Sequence, residues 1–177
     1  LNIDYVYNVE HFVRPGETIS SQSRQVFCGG KGLNQSIALA RSGVQVYHAG
    51  AVGRDDGGIL LETLQKNNIN TDFIVQRDDV STGHAVIQVN SEGENCIILY
   101  GGANQTIDRE HVDSTLKNFA PGDFLILQNE INMLDYIIEK AHDGGLVIVL
   151  NPSPMNDKIL TLPLEYVDYF ILNEVEA

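Results

Sequence analysis

Short apolar segments alternate with segments of helical periodicity through most of the chain, and this alternation constrains the fold more than any other feature. Apolar residues recur at helical spacing in residues 33–41, 58–67, 109–119 and 133–143. Between them lie strand-like apolar runs at residues 46–52, 124–127, 147–150 and 169–172. Strands that alternate with helices form a mostly parallel sheet with helices on both faces. The sequence therefore predicts an α/β fold.

Two stretches depart from this alternation. Residues 5–27 alternate apolar and polar side chains around a Pro15-Gly16 turn signal, and residues 73–100 contain three strand-like runs separated by turn residues. An alternation of period two between clusters of turn residues is typical of hairpins. We therefore predict one domain over residues 1–177, in which these two segments form a small β-sheet inserted in the α/β body.

The charge balance excludes several classes of partner. The chain has 11 Lys and Arg residues against 24 Asp and Glu residues, which gives a formal net charge of −13. Such a chain repels a phosphate backbone or an anionic bilayer, so we expect neither a nucleic acid nor a membrane as partner. The two cysteines, Cys28 and Cys96, are far apart and form no CxxC pair. This spacing favours reduced thiols and a cytoplasmic location, and leaves a single long-range disulfide as the alternative.

The most informative segment is residues 28–35, with the sequence Cys-Gly-Gly-Lys-Gly-Leu-Asn-Gln. Glycines let the main chain approach a ligand closely, and the first N–H groups of the following helix point toward the turn. Lys31 is followed by Gly32 rather than by Ser or Thr, so the segment is not a P-loop. These residues alone leave two interpretations open: a ligand cradle, or a flexible turn between a hairpin and a helix.

Residues 29–35, with the sequence GGKGLNQ, resemble the GGKGxNQ signature of ribokinases in the PfkB carbohydrate kinase family. Further family segments match in the same order: N-x-D at residues 2–4, PGET at 15–18, VGxDxxG at 52–58, STG at 81–83, GGAN at 101–104, QxE at 128–130, NPxP at 151–154 and NExE at 173–176. The resemblance covers essentially the whole chain. It implies a ribokinase-like three-layer α/β/α body with a mostly parallel sheet, and a small β-sheet lid formed by segments 5–27 and 73–100.

The resemblance also implies an activity, namely transfer of the γ-phosphate of ATP to a primary hydroxyl group of a pentose, with D-ribose as substrate and ribose 5-phosphate as product. A sugar presents a ring of hydroxyl groups, and one carboxylate or amide can bind two neighbouring hydroxyls. By resemblance, the substrate-binding residues are Asn2, Asp4, Gly30, Lys31, Gly32, Asn34 and Glu130. Without the resemblance, isolated polar residues of this kind are usually solvated loop residues.

ATP and Mg²⁺ are the cofactors that the resemblance implies. Asn173 and Glu176 match the NExE motif, so Asn173 is expected to contact the nucleotide and Glu176 to lie near the magnesium ion without binding it directly. Carboxylates and waters suit Mg²⁺, although the helix dipole alone also explains acidic residues at a helix N-terminus. The family's catalytic Asp has no counterpart among residues 1–177, so we expect it beyond Ala177 and expect this segment alone to be inactive.

The resemblance further implies that the lid covers the sugar and pairs with a second lid in a homodimer. Two alternatives to a ribose kinase stay open. One is a kinase of the same family that acts on another sugar, a keto-deoxy sugar acid or a nucleoside. The other is a module that binds a sugar without phosphotransfer. The five histidines show no ligand spacing, so the sequence predicts no zinc site.

Overall fold

The computed structural model describes residues 1–174 of the 177-residue chain. These residues fold into two compact units, the first from Leu1 to Ala103 and the second from Asn104 onward. Strands and helices are mixed in both units, as the sequence predicts. Within the described part of the chain, every helix is too short or too polar to cross a membrane.

The first unit contains a four-stranded sheet with strand order β2-β1-β5-β6. Its strands are β1 (Asn2–Asn8), β2 (Ser23–Gly29), β5 (Gly83–Val89) and β6 (Asn95–Tyr100). Strand β1 lies at the centre, antiparallel to β2 and parallel to β5, and β5 is antiparallel to β6. The two segments that break the helical alternation in the sequence thus supply all four strands of one sheet.

A second, two-stranded sheet in this unit pairs β3 (Tyr47–Gly53) with β4 (Asn70–Arg77) in parallel. Helix α1 (Lys31–Arg41) precedes β3, and helix α2 (Gly58–Lys66) connects β3 to β4. Their apolar faces meet β1 in one core cluster. Its buried members are Leu1, Ile3, Leu33, Val52, Leu60, Leu64 and Ile69.

Two strand boundaries differ from the sequence-based expectation. Residues 73–77 lie in β4 and pair with β3, whereas the sequence groups them with the small sheet. Asn2 and Asp4 lie inside β1, which begins before residue 5, where the predicted small-sheet segment starts. The reason is that β1 has a hydrogen-bonded neighbour on both sides, so that its ladder extends from Asn2 to Asn8.

The second unit is built on a three-stranded parallel sheet with strand order β7-β8-β9. Its strands are β7 (Phe124–Gln128), β8 (Val147–Asn151) and β9 (Tyr169–Phe170), so the last strand is shorter than expected. Helices α3 (Arg109–Leu116) and α4 (Leu134–Asp143) accompany it. Helix α4 buries residues at spacings of three and four, the pattern of an amphipathic helix: Leu134, Ile137, Ile138 and Ala141.

Candidate functional site

Strand β1 places two predicted sugar-binding side chains on one face of the four-stranded sheet. Asn2 and Asp4 are two residues apart, so their side chains point to the same side, while Ile3 points to the other side and joins the core. Asn2 is buried and Asp4 is half-buried. The core contact of Ile3 therefore fixes which face of the sheet carries the carboxylate.

Gly29 makes room for the Asp4 carboxylate. A Cβ atom at Gly29 would lie 2.8 Å from Asp4 Oδ1 and closer still to Oδ2, so any side chain there displaces the carboxylate. Gly29 is paired with Asn2 in the β1–β2 ladder, two residues along β1 from Asp4 and on the same face. The first glycine of GGKG is thus required by Asp4, a link that nothing in the sequence reveals.

Gly30 connects β2 to α1 in a conformation that favours glycine. Its φ is 93°, and a Cβ atom there would lie 3.1 Å from the backbone nitrogen of Asn2. As the N-cap of α1 it supplies no side-chain hydrogen bond, and the first turn of α1 contains no acidic residue. The positive end of the helix dipole therefore lies beside the strand that carries Asn2 and Asp4.

The remaining predicted residues of this loop lie in the first turn of α1. Lys31 and Gly32 are half-buried and Asn34 is exposed. The backbone N–H of Asn34 donates to the carbonyl of Gly30 at 3.1 Å, which is the first hydrogen bond of the helix. In the first unit the fold thus brings six of the predicted residues into two adjoining segments, the start of β1 and the start of α1: Asn2, Asp4, Gly30, Lys31, Gly32 and Asn34.

In the second unit, Glu130 lies in the turn after β7 and is half-buried. Its backbone carbonyl accepts a hydrogen bond of 3.0 Å from Gln105 Nε2. The Asn132 side chain accepts from Ile107 N at 3.0 Å and donates to Ile107 O at 2.8 Å, which ties the same turn to the segment before α3. The sequence offers no signal for Gln105 or Asn132, because each acts through a backbone partner 25 residues away.

Asn173 follows β9, and Asn151 is the last residue of β8. Because β7, β8 and β9 are parallel neighbours, the residues after them emerge at one edge of the sheet. The Asn129 side chain spans part of this edge by donating to Pro154 O at 2.7 Å. Asn173 is exposed at the end of the described chain, and Glu176 lies outside the described residues.

A polar network in the first unit links β3 to the start of β5. The Asp56 carboxylate accepts from Thr82 N at 3.0 Å, and Thr82 Oγ1 accepts from Gly53 N at 2.9 Å. Thr82 is fully buried. The VGxDxxG and STG segments are thus joined to each other, a connection that their separation in the sequence hides.

Arg54 and Asp78 form an exposed ion pair beside this network. The carboxylate of Asp78 raises the pKa of Arg54, and the guanidinium lowers the pKa of Asp78. The Arg54 guanidinium therefore already has an anionic partner within its own unit. Among residues 1–174, no group of three or more His, Cys, Asp or Glu side chains is arranged to hold a metal ion.

This chain is similar to known carbohydrate kinases. The family described as pfkB family carbohydrate kinase matches residues 1–177. The ribokinase of Staphylococcus aureus strain COL is 36% identical over 185 residues, an alignment that covers 99% of this chain and 59% of that protein. This chain therefore spans about three-fifths of the length of that relative.

Solved structures extend the comparison to the fold. The ribokinase from Cryptococcus neoformans in complex with ADP is 38% identical, with a TM-score of 0.82 over 99% of this chain and 56% of that one. The ribokinase of Arabidopsis thaliana complexed with ribose and ATP is 26% identical, with a TM-score of 0.81 over 99% of this chain and 58% of that one. The expected fold class is confirmed, since both structures are similar over almost all of this chain.

Proposed function

This chain belongs to the pfkB family of carbohydrate kinases, and on that premise we propose that it is the sugar-binding part of an ATP-dependent kinase. The acceptor is a primary hydroxyl group of a pentose, with D-ribose as substrate and ribose 5-phosphate as product. The activity belongs to the whole protein, because the chain spans about three-fifths of the ribokinase it resembles.

One observation carries this proposal: the Asp4 carboxylate lies directly over Gly29, at the point where the chain turns into α1. A carboxylate accepts hydrogen bonds from two neighbouring hydroxyl groups, which is the arrangement that the 2- and 3-hydroxyls of a furanose present. The buried Asn2 amide adds both a donor and an acceptor on the same face. The backbone N–H groups at the start of α1 are hydrogen-bond donors whose direction is fixed by the helix.

Glu130 and Asn173 are the predicted site residues of the second unit. Both follow parallel strands of one sheet, at the edge where open α/β sheets bind ligands. We assign Glu130 to a sugar hydroxyl and Asn173 to the nucleotide. Support comes from the Arabidopsis relative, whose structure holds ribose and ATP.

The magnesium ion is proposed to bind together with ATP. This ion usually keeps several waters and is bound through one or two carboxylates and the substrate phosphates. The residues that the structure describes contain no cluster of three or more His, Cys, Asp or Glu side chains that could hold the ion, and Glu176 is proposed to lie near it without binding it directly. When bound, it would neutralise charge on the phosphates during transfer. The residues described here bind and orient the sugar.

The four-stranded sheet is proposed to close over the sugar. Phe27, Asp4, Ala85 and Leu99 form one row across the four strands, and Phe27 and Leu99 are 49% and 55% exposed. Apolar side chains on both sides of a carboxylate fit the C–H and O–H groups of a sugar. Their closure would exclude water, whose attack on ATP would waste the phosphoryl group.

A homodimer through this sheet is also proposed. Strand β6 lies at an edge of the sheet, and Ile97, Ile98, Leu99 and Tyr100 are each 48–64% exposed. A run of exposed apolar side chains on an edge strand needs cover, because it otherwise pairs with other chains. A second copy of the same sheet provides that cover. A cytoplasmic location agrees with an ATP-dependent enzyme whose Cys28 and Cys96 are both free.

The test is a coupled ADP-release assay on the longest form of the protein that contains residues 1–177. The reactions contain ATP, Mg²⁺ and one of ribose, deoxyribose, fructose, ketodeoxygluconate or a nucleoside. We expect turnover with ribose that falls by more than about 100-fold in Asp4→Ala, because a positioning carboxylate is lost. The matched control is Asp72→Ala, since Asp72 is exposed on β4 and bonds only to its neighbour Asn70.

Turnover with ribose that Asp4→Ala leaves intact would refute the assigned site. Preference for a nucleoside or a sugar acid would show that the protein is a kinase of the same family with another acceptor. A sugar acid needs an additional cation, and Arg54 is already paired with Asp78. Binding of ribose without any ADP release, measured by calorimetry, would indicate a binding module.

The dimer has its own test, the mass measured by analytical ultracentrifugation. Ile98→Lys places a charge on the most exposed apolar residue of β6 and is expected to convert dimer to monomer. Ile59→Lys is the matched control on α2, where Ile59 is 44% exposed. A wild-type protein that sediments as a monomer would contradict the proposed dimer.

A further inference from the structure

A buried hydrogen bond joins α1 to β3. Ser36 Oγ lies 2.8 Å from His48 Nδ1, and both residues are 8% exposed. Burial lowers the pKa of His48 to about 3, so the ring is neutral at physiological pH. Neither residue belongs to the short motifs that carry the family resemblance, and the sugar site described above does not use either one.

Helix α1 also packs against the core through the partly buried Ile37 and Ala40. Its only buried residues are Leu33 and Ser36. The contacts of Leu33 are apolar, and apolar contacts hold two elements together without fixing a direction. A hydrogen bond is directional and weakens steeply when its angle changes. The Ser36–His48 pair is therefore a buried directional contact between α1 and β3, whereas Leu33 contributes apolar packing.

The rotation of α1 matters at its first turn. Lys31, Gly32 and Asn34 lie within five residues of Ser36 on the same helix, and successive residues are 100° apart around the axis. A rotation of α1 therefore displaces all three relative to β1. Gly30 lies against the backbone of Asn2 at the start of the helix, and Ser36 bonds to His48 six residues further along.

Packing alone does not require a polar pair at this place. Burying a serine and a histidine has a desolvation cost, and two apolar side chains of similar size fill the same space without it. A buried pair that is joined by a hydrogen bond instead favours one arrangement of the elements around it.

We propose that Ser36 and His48 are positioning residues for the sugar-binding loop: their hydrogen bond fixes the rotation of α1 and thereby the placement of Lys31, Gly32 and Asn34. This inference rests on the proposed function. The two residues touch no substrate. They act on sugar affinity through the helix and leave the nucleotide unaffected.

The test uses the apolar double variant Ser36→Ala/His48→Leu in the longest form of the protein. Removing both partners leaves no buried polar group unsatisfied, so the melting temperature is expected to stay within about 4 °C of the wild type. The KM for the sugar is expected to rise about tenfold, the range of one directional hydrogen bond. The KM for ATP is expected to stay unchanged.

Two further variants test whether a change in the sugar KM comes from loss of this hydrogen bond. His48→Gln keeps a side chain that can bond to the Ser36 hydroxyl, and it is expected to restore most of the sugar affinity. If the double variant does not fold, His48→Gln still provides a test of the inference. Ser42→Ala is the matched control at the other end of α1, since the Ser42 hydroxyl bonds only to the Leu39 carbonyl, at 2.7 Å.

A sugar KM in the double variant equal to that of the wild type would overturn the inference and leave the proposed function intact. Parallel increases of the sugar and ATP KM with a large loss of stability would overturn it as well, because they indicate a purely structural role. A wild-type protein that neither binds nor phosphorylates any sugar would overturn the proposed function and, with it, this inference.

Discussion

Helices α1 and α3 begin in opposite ways. Helix α3 has Asp108 as its N-cap, whose carboxylate accepts from His111 N at 2.8 Å, and Glu110 lies in its first turn. Helix α1 begins after Gly30 with neither a side-chain cap nor an acidic residue. Capping groups and acids satisfy the first N–H groups of a helix and neutralise its dipole.

The difference matches the proposed division of roles, in which α3 has a structural N-terminus and α1 starts at the proposed sugar site. Helix α3 satisfies its own N-terminus, which gives stability and leaves no binding site. Helix α1 has no such side-chain cap, and its start contacts the neighbouring strands instead, with Gly29 against Asp4, Gly30 against Asn2, and Ser36 bonded to His48. Changes at α1 are therefore expected to alter activity, and changes at α3 are expected to alter stability.

The largest effect is expected from Gly29→Ala. The new methyl group would occupy the place of the Asp4 carboxylate, which can swing away because it ends a flexible side chain. The protein is therefore expected to fold, while kcat/KM for the sugar falls by about 100-fold or more through displacement of Asp4. Steady-state kinetics and a thermal melt of the same preparation measure both quantities.

Gly58→Ala is the control for that variant, since a Cβ atom at Gly58 has nothing within 4 Å. It changes glycine to alanine at the start of α2 and is expected to leave kinetics untouched. Normal kinetics in Gly29→Ala would contradict the placement of Asp4 and remove the distinction between the two helix starts.

The pH dependence of stability is expected to report on the buried histidine whose hydrogen bond joins α1 to β3. The pKa of His48 is lowered to about 3 in the folded protein, against 6.5 as its ordinary value. The unfolded chain therefore binds the extra proton first, and stability is lost as the pH falls from about 6.5 toward 3. At pH 5.5 the loss from this group is expected to be on the order of 1 kcal/mol.

Urea unfolding at pH 7.5 and 5.5 measures that loss when the wild type is compared with Ser36→Ala/His48→Leu. The variant lacks the buried imidazole, so the difference between the two proteins isolates its contribution from that of the other titrating groups. Equal pH dependence in both proteins would show that His48 is accessible to protons in the folded state.

Asp108→Ala is expected to have a comparable or slightly smaller effect on stability and none on activity. Loss of an N-cap side chain typically costs about 1 kcal/mol. The free energy of unfolding in urea and the sugar KM are the two measurements. A changed sugar KM in this variant would contradict the division of roles between the two helix starts.

The smallest effect is expected from Tyr136→Phe. The Tyr136 hydroxyl donates to Asp113 Oδ1 at 2.9 Å between α4 and α3, in an exposed place where water can replace either partner. We expect no measurable change in unfolding midpoint or in kinetics. A clear destabilisation would show that an exposed bond can position a helix as firmly as the buried bond of Ser36 and His48.

The fold could be predicted from the sequence to a large extent. The four long helices and the strands around residues 50, 126 and 149 follow from apolar spacing, because burial of one face imposes that spacing. The partner of β4 could not be predicted in this way. A half-buried strand shows the same alternation in either sheet, and only the connection through α2 decides that it pairs with β3.

The candidate site was predictable in part. The glycine-rich run at residues 28–35 is visible in the sequence because backbone freedom requires glycine itself. The contact of Gly29 with Asp4 was not visible, because the two residues are 25 positions apart and meet only through the β1–β2 ladder. The same holds for Ser36 and His48, since a lone histidine among apolar residues does not indicate its partner.

The sequence by itself thus determined the alternation of elements, the glycine-rich start of α1 and the residue types of the site, since each depends on local backbone geometry or on the burial of one face. The tertiary structure alone decided that β1 runs unbroken through Asn2 and Asp4, that Gly29 makes room for a carboxylate, and that one buried hydrogen bond ties α1 to β3. These features depend on pairings between distant segments, which the order of residues along a chain does not specify.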